Sequence, residues 1–385
     1  MTERTYELLE VLRRPELLKT LSLPEWGRLI PQARHALLLG RLHALVLQHG
    51  LVDVLPEQPL NHTLSAYLAS QKQRTTTAWE VRKLSDALQS LGLPLVLLKG
   101  SAYIQSGLSV AEGRLLSDID ILVPKEKLST VENTLHSRGW RSSKGDAYDE
   151  RYYREWMHEI PPLRHITRGS FLDVHHTILP PTAKYKPDPV KIMADIREVA
   201  PGVYTLSPVD MVIHSATHLF HEGDFDHGLR DILDLHGLLN HFGENEPGFW
   251  HRLVPRAVEL DLVHPLYYAL HYCRLILNTD IPAAVLEQSR KGRPNPLMSG
   301  VMDGLFMRAL RPDHPSCEQP LTGVARWLLY VRSHYLRMPL YLLIPHLTRK
   351  AWKRRVADKT EQTGPAQANV PEPRARANRW RFWAR

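Results

Sequence analysis

Cysteine is nearly absent from this sequence. Its 385 residues include only two cysteines, Cys273 and Cys317, which lie far apart and outside any paired-cysteine motif. Secreted disulfide scaffolds and cysteine zinc sites need more cysteines than this. We therefore expect neither of them, and the reducing cytoplasm is the compartment that we predict.

Long apolar runs are missing as well. The most hydrophobic late stretch, residues 327–347, is interrupted by Arg332, His334, Arg337 and two prolines. The first ten residues mix acidic with apolar side chains and lack the apolar centre of a secretory signal. We expect no membrane-spanning helix and no signal peptide.

The body of the chain lacks a net charge. The sequence has 49 Lys and Arg against 41 Asp and Glu, and eleven of the former but only three of the latter fall in residues 349–385. The overall charge of +8 therefore belongs to this tail and says nothing about the substrate of the body. We predict a basic tail that is disordered over residues 360–378, where large apolar side chains are few. Three roles stay open for the tail: simple surface, contact with RNA phosphates, or weak contact with an anionic membrane.

Hydrophobic patterning indicates helical segments on both sides of a mixed sheet. Apolar residues recur at helical spacing in residues 1–80 and again in residues 205–347, whereas residues 81–185 alternate short strands with helices. A linker rich in proline covers residues 180–189. The expected strands are residues 95–98, 119–123, 148–156 and 170–175. The expected helices include residues 75–91, 102–107, 127–138, 209–220, 228–240, 247–260, 265–277 and 321–336. The fold class is therefore α+β, with an N-terminal helical segment, a sheet domain and a C-terminal all-α domain.

Two aspartates separated by one residue mark the centre of the sheet domain. Asp118 and Asp120 belong to a run of β-branched and apolar residues that ends at Pro124. On a strand, residues two apart project from the same face, so these carboxylates would lie side by side and favour a shared Mg²⁺ or Mn²⁺ ion. Asp173 has the same apolar setting on a later strand. Three carboxylates on adjacent strands suit a metal site that aligns a nucleophile with a nucleotide phosphate.

Cationic and small residues precede this pair of acids. Lys99, Gly100 and Ser101 follow a predicted strand and begin a helix, and Arg114 lies between them and the aspartates. Glycine permits close approach of the backbone to a phosphate, and a hydroxyl and helix N–H groups supply donors. Arg114 has a structural alternative, in which its guanidinium only pairs with Asp118 or Glu112.

These elements, in this order, resemble the DNA-polymerase-β-like nucleotidyltransferase superfamily. The resemblance is closer to a bacterial branch labelled uncharacterised nucleotidyltransferase. Its pattern is similar to the segments Leu98–Gly100, Arg114–Val123 and Leu172–His175, with a looser likeness around His218 and over Arg230–Leu235. One departure is Lys99, since the superfamily usually has two small residues in this turn.

The resemblance implies an enzyme that moves a nucleoside monophosphate from an NTP such as ATP to a hydroxyl-type acceptor and releases pyrophosphate. Asp118, Asp120 and Asp173 would then bind Mg²⁺ or Mn²⁺, with Asp173 also acting as the base. The nucleotide would contact four residues: Lys99, Gly100, Ser101 and Arg114. Substrate contacts are expected from His175, His218 and Asp231. The acceptor, whether small molecule, protein or RNA, stays open.

Histidines suggest a second interpretation. His214, His218 and His221 share one face of a predicted helix, a spacing that can bind zinc. A metal-dependent phosphohydrolase would combine the same carboxylates with His175, His214 and His218. The sequence contains no His-Asp dipeptide and no His-Glu-x-x-His motif, which argues against this alternative. A third interpretation is a binding protein that retains the fold without turnover.

Overall fold

A computed structural model describes residues 7–142, 147–223, 225–339 and 341. Within these ranges the sheet has seven strands in the order β3-β4-β5-β2-β1-β7-β6. The strands are β1 Leu95–Leu98, β2 Ile119–Leu122, β3 Trp140–Ser142, β4 Leu163–His165, β5 Phe171–His175, β6 Ile196–Ala200 and β7 Val203–Leu206. Two neighbouring pairs are parallel, β2 with β5 and β1 with β7, and the others are antiparallel. The sheet is therefore mixed, and with its helices it confirms the predicted α+β class.

Helices precede, interrupt and follow the strands. Those before the sheet are α1 Glu7–Arg13, α2 Leu23–His35, α3 Leu39–Gln48 and α4 Glu57–Gln89. Those between strands are α5 Lys99–Gln105, α6 Leu128–Ser137, α7 Ala147–Trp156 and α8 Pro189–Met193. Those after the sheet are α9 Pro208–Glu222, α10 Gly228–Asn245, α11 Phe249–Glu259, α12 Val263–Leu277, α13 Ala283–Ser289, α14 Pro296–Ala309 and α15 Thr322–Arg337. None of the helices in the described ranges is both long and apolar enough to cross a bilayer.

The central strands form where the sequence is both apolar and β-branched. All four residues of β1 are buried, and those of β2 are buried as well, including Asp120. Pro124 follows the second strand, and proline lacks the N–H that would continue a ladder. The predicted strands at residues 95–98, 119–123 and 170–175 are confirmed to within one residue at each end.

One predicted strand is wrong. Residues 148–156 belong to helix α7 rather than to a strand. The aromatic residues in this segment favoured a strand, but they lie at helical spacing: the rings of Tyr152 and Trp156 pack edge-to-face four residues apart. An ion pair of 3.0 Å joins Arg151 Nε to Glu155 Oε2 at the same spacing. Local pairs along the helix therefore outweigh the strand preference of the aromatic side chains.

The sheet extends past the segment in which it was predicted. β6 and β7 follow the proline-rich residues 180–189, and β7 pairs with β1. The pairing of β7 with β1 is distant in sequence, but β6 and β7 also form a local hairpin with each other, which patterning missed. The division into domains at residues 1–80, 81–185 and 205–347 stays a prediction. By compactness the chain separates into Met1–Pro339 and Leu340–Arg385, and the predicted basic tail lies outside the described residues.

Helix α9 illustrates how the sequence sets an element that borders the site. The Ser207 hydroxyl accepts a hydrogen bond from the Asp210 N–H, Pro208 occupies the first turn, and Gly223 ends the helix in the left-handed conformation. These are the start and stop signals expected for a helix. Helix α9 follows β7 directly and contacts α5, the helix that begins at Lys99.

Candidate active site

Three aspartates converge on one face of the central strands. Asp120 of β2 lies directly opposite Asp173 of β5 in the parallel register. Asp118 lies just before β2, two residues from Asp120, where a chain that stays extended would direct it to the same face. The negative charges of both Asp118 and Asp120 act on Asp173, which confirms that the three are near one another. The structure therefore brings together all three of the predicted carboxylates.

Lys99 supplies a positive charge to this group. It stands at the junction of β1 and α5 with a φ of 50°, a left-handed conformation that is uncommon for a residue with a side chain. Its Nζ lies 2.8 Å from Asp120 Oδ1. Lys99, which stands where the superfamily usually has a small residue, is thus held by a strained turn against Asp120, the buried aspartate of the pair.

Two of the aspartates have opposite electrostatic environments. Burial opposes ionisation of Asp120, but the Lys99 ammonium and the His175 imidazole outweigh it and hold the pKa of Asp120 well below its usual range. Burial, followed by the charges of Glu159, Asp120 and Asp118, raises the pKa of Asp173 well above its usual range. The site therefore contains one firmly ionised carboxylate next to one with a higher affinity for a proton.

His175 connects the aspartates to a second group of side chains. Its Nε2 lies 3.1 Å from Asp120 Oδ1 and 3.5 Å from Glu159 Oε2. The ring of His158 lies against the His175 ring, with centroids 5.1 Å apart. His175 was predicted as a substrate contact, whereas sequence reasoning did not select His158 or Glu159. Their segment was placed after an expected strand, and only the fold shows that it crosses the end of β5.

The small residues of the turn are packed tightly. A Cβ on Gly100 would collide with Leu116 Cδ2 and with the guanidinium of Arg114. The Ser101 hydroxyl is buried and donates a hydrogen bond of 2.9 Å to the Leu98 carbonyl oxygen. A side chain at this position would therefore require Leu116 and Arg114 to move. The predicted contact of Gly100 and Ser101 with a nucleotide stays a prediction.

Arg114 pairs with an acid that sequence reasoning did not consider. Its Nε donates a hydrogen bond of 2.7 Å to Asp234 Oδ2 on α10, and Arg41 NH2 of α3 lies 3.7 Å from the other carboxylate oxygen. The structural alternative had proposed Asp118 or Glu112 as the partner of Arg114. Glu112 is instead paired with Arg74 of α4. Arg114 thus links the loop before β2 to the C-terminal helices, and its role with phosphate stays a prediction.

Helices α9 and α10 contribute polar side chains at the same end of the sheet. Arg230 donates from Nε to Asp231 Oδ1 at 2.8 Å, and the charge of His218 also acts on Asp231. Burial opposes ionisation of Asp231, but Arg230 and then His218 outweigh it and lower the pKa of Asp231. Burial and the nearby Lys99 lower the pKa of His214 well below its usual range, so this ring is neutral. His218 is thus near enough for its charge to act on Asp231, and the roles of both residues as substrate contacts stay predictions.

In the described part of the chain, one group of side chains has donor atoms close enough to share a metal ion. It consists of His158, Glu159 and His175, whose donor atoms lie within 4.8 Å of one another. Asp118, Asp120 and Asp173 offer the oxygen ligands that Mg²⁺ or Mn²⁺ prefers, but their carboxylates are not grouped as closely, and their role as metal ligands stays a prediction. The zinc-binding interpretation had selected the α9 histidines, and they are not part of the group that contains His158.

Comparisons with known proteins agree with the geometry. The sequence profile of a family described as "Uncharacterised nucleotidyltransferase" matches residues 22–278. This range begins at the residue that caps α2, ends at the residue after α12, and includes all seven strands. No curated protein and no solved structure matches the chain.

Proposed function

Because the chain belongs to the uncharacterised nucleotidyltransferase family, we propose that it transfers a nucleoside monophosphate from an NTP such as ATP to a hydroxyl-type acceptor. The observation that carries this proposal is the pairing of Asp120 with Asp173 on adjacent parallel strands. Asp118 lies just upstream, and Lys99 neutralises part of the charge. Carboxylates arranged in this way suit a divalent metal that binds a triphosphate.

Mg²⁺ or Mn²⁺ would be held by Asp118, Asp120 and Asp173. When bound, the ion supplies positive charge to the phosphate oxygens and to the pyrophosphate that leaves. Lys99 reaches Asp120 from the adjoining turn and adds a fixed charge beside the same phosphates. Gly100, Ser101 and Arg114 are proposed to complete the nucleotide-binding side of the site.

Asp173 is the group best suited to accept the proton of the acceptor. Burial and then the surrounding carboxylates raise its pKa well above the usual range, so it holds a proton more strongly than Asp120 does. A base with a raised pKa is more effective near neutral pH. The acceptor oxygen would bond to the α-phosphorus while the bond to pyrophosphate breaks, and the hydroxyl proton would pass to Asp173.

Contacts with the acceptor are proposed on the helical side of the site. His218 and Asp231 lie near each other where α9 and α10 meet, and His175 lies against Asp120. These three residues carry hydrogen-bonding groups of both kinds, donor and acceptor, which suits recognition of a polar acceptor. The candidate classes of acceptor are small molecules, proteins and RNA.

Labelled nucleotides test the proposal and identify the acceptor class. The full-length protein is incubated with Mg²⁺ or Mn²⁺, each α-phosphate-labelled NTP and a cytoplasmic extract that is then separated into protein, RNA and small molecules. Label is expected in one fraction and absent with the double variant Asp118→Ala/Asp120→Ala. Equal labelling by the variant would reject the proposal, and release of phosphate without any labelled acceptor would favour the phosphohydrolase.

A truncated protein separates the RNA acceptor from the others. We propose that the basic residues 349–385 contribute weak contacts with RNA or with an anionic membrane, because they carry the whole net charge of the chain. If the acceptor is RNA, deleting them should weaken labelling and reduce its dependence on salt. A small-molecule acceptor should be labelled equally by both forms.

A further inference from the structure

The backbone holds His158, Glu159 and His175 together before any ligand binds. Glu159 and His175 form an antiparallel bridge, in which the two residues face each other. Hydrogen bonds on either side fix this crossing: Ile160 N–H donates to the Val174 carbonyl at 3.1 Å, and His176 N–H donates to the His158 carbonyl at 2.9 Å. The three side chains are thus positioned by regular backbone pairing.

The donor atoms have the composition of a transition-metal site. Two imidazoles and one carboxylate each place a ligand atom within 4.8 Å of the others. Imidazole nitrogen binds Zn²⁺ and related cations well, whereas Mg²⁺ prefers oxygen. Catalytic zinc sites usually have three protein ligands and leave a fourth position open to water or substrate.

His175 also has the support that metal-binding histidines usually have. In such sites one ring nitrogen binds the ion and the other contacts a carboxylate, which fixes the orientation of the ring. Nε2 of His175 already lies 3.1 Å from Asp120 Oδ1. Its Nδ1 is buried and has no hydrogen-bond partner in the described part of the chain. A buried nitrogen without a partner is unfavourable, and the nitrogen that approaches Glu159 is Nε2, which lies 3.5 Å from Oε2.

We propose that His158, Glu159 and His175 bind a divalent transition-metal cation, with Zn²⁺ as the representative ion, separately from the Mg²⁺ ligands Asp118, Asp120 and Asp173. The two sites adjoin through the contact between His175 and Asp120, so an ion at one changes the charge felt at the other. The zinc site does not depend on the transfer reaction, because its ligands are fixed by the backbone.

Zinc binding in the presence of excess Mg²⁺ tests this site directly. The full-length protein is freed of metal by a chelator and dialysed against buffered Zn²⁺ with Mg²⁺ in large excess, and bound zinc is measured by atomic emission. The chain contains 21 histidines, so adventitious binding needs a control. His251→Ala removes an exposed histidine of α11 and is the matched control for His158→Ala.

A single tight zinc is expected in the wild type and in the control variant. His158→Ala and Glu159→Gln should each weaken its binding by at least about tenfold. Circular dichroism shows whether each variant is folded. If His158→Ala does not fold, Glu159→Gln still tests the site, because glutamine has nearly the size and shape of glutamate. The proposal would be overturned if zinc binding were unchanged in Glu159→Gln and, where it folds, in His158→Ala. Displacement of the bound zinc by Mg²⁺ would also overturn it. Because the readout is bound metal, the outcome is independent of whether nucleotide transfer is detected.

Discussion

Asp120 and Asp173 are direct partners in the parallel pairing of β2 with β5, yet the structure shifts their pKa values in opposite directions. Burial acts on both side chains. Lys99 and His175 lie against Asp120 and keep it ionised, whereas Asp173 has only further carboxylates as its strongest neighbours. Two neighbouring acids with divergent pKa values are suited to separate roles, one as a permanent ligand and one as a proton acceptor.

Replacing Asp173 should affect stability in a way that depends on pH. A carboxyl group whose pKa is raised by folding contributes stability below its unfolded pKa, and that contribution is lost as the pH rises through the raised value. Asp173→Asn removes the ionisable group. In metal-free protein we expect the free energy of unfolding to rise on the order of 1 kcal/mol at about pH 8 and to change little at about pH 4.

Urea unfolding with a chelator present measures this effect. Asp53→Asn, at an exposed position before α4, is the matched control and should alter stability equally little at both pH values. The transfer activity of Asp173→Asn should fall by about 100-fold or more, as expected for loss of a general base. A variant that is destabilised at alkaline pH would contradict the like-charge environment of Asp173.

Lys99 should stabilise the metal-free site more than the metal-bound one. Lys99→Met removes the ammonium 2.8 Å from the buried Asp120 carboxylate. Breaking a buried ion pair by removing one partner costs about 3–5 kcal/mol, and we expect the lower end because His175 still donates to Asp120. A saturating concentration of Mg²⁺ should recover part of this loss, since it restores positive charge beside the carboxylates.

Unfolding curves with and without Mg²⁺ measure the recovery. Lys72→Met, an exposed lysine of α4, serves as control and should show the same stability in both conditions as the wild type. If Mg²⁺ protects Lys99→Met no better than it protects the wild type, the ion does not bind at Asp120.

Gly100 should not tolerate even a methyl group. In Gly100→Ala the new Cβ would meet Leu116 Cδ2 and the guanidinium of Arg114, which is itself bonded to Asp234. Overpacking of this kind typically costs 1–3 kcal/mol, and we expect about 2 kcal/mol together with a loss of transfer activity. Gly27→Ala is the matched control, because nothing lies within 4 Å of its Cβ position in α2. A Gly100→Ala protein with normal stability and activity would show that Arg114 is free to move.

Asp231 and Asp234 lie one helical turn apart but should have different effects. Asp234 is buried and holds both Arg114 and Arg41, so Asp234→Asn should destabilise the fold by about 3 kcal/mol. Asp231 is only partly buried and lies near His218, so Asp231→Asn should mainly change KM or kcat. Thermal unfolding and steady-state kinetics of the two variants separate these effects. If both variants lost stability equally, Asp231 would have a structural role and would not be a substrate contact.

The sequence was sufficient for elements whose signals are local. Asp118 and Asp120 on a β-branched run, Asp173 between apolar residues, and helices α9 to α12 and α15 follow from spacing and composition, whereas α13 and α14 were not predicted. Capping residues such as Ser207 and Gly223 refine the ends of these helices. The three acids were expected on neighbouring strands, and β2 and β5 are indeed paired.

Long-range contacts were beyond the reach of sequence patterning. The strand pairing of β1 with β7 joins residues that are separated in sequence by four α-helices and five other strands. The bridge between Glu159 and His175 and the ion pair between Arg114 and Asp234 depend likewise on how the chain returns to the sheet. Residues 148–156 were predicted as a strand because aromatic residues favour strands, but the spacing of these residues favours the helix that the structure shows.

The most direct test of the central claim compares the position of the label on the nucleotide. The acceptor fraction that the labelling experiment identifies is incubated with wild-type protein, Mg²⁺ and NTP that carries the label on either the α- or the γ-phosphate. The nucleotidyltransferase account predicts that the α-label is transferred to the acceptor and that the γ-label is released as pyrophosphate. Transfer of the γ-label to the acceptor, or its release as inorganic phosphate while the acceptor remains unlabelled, would contradict it.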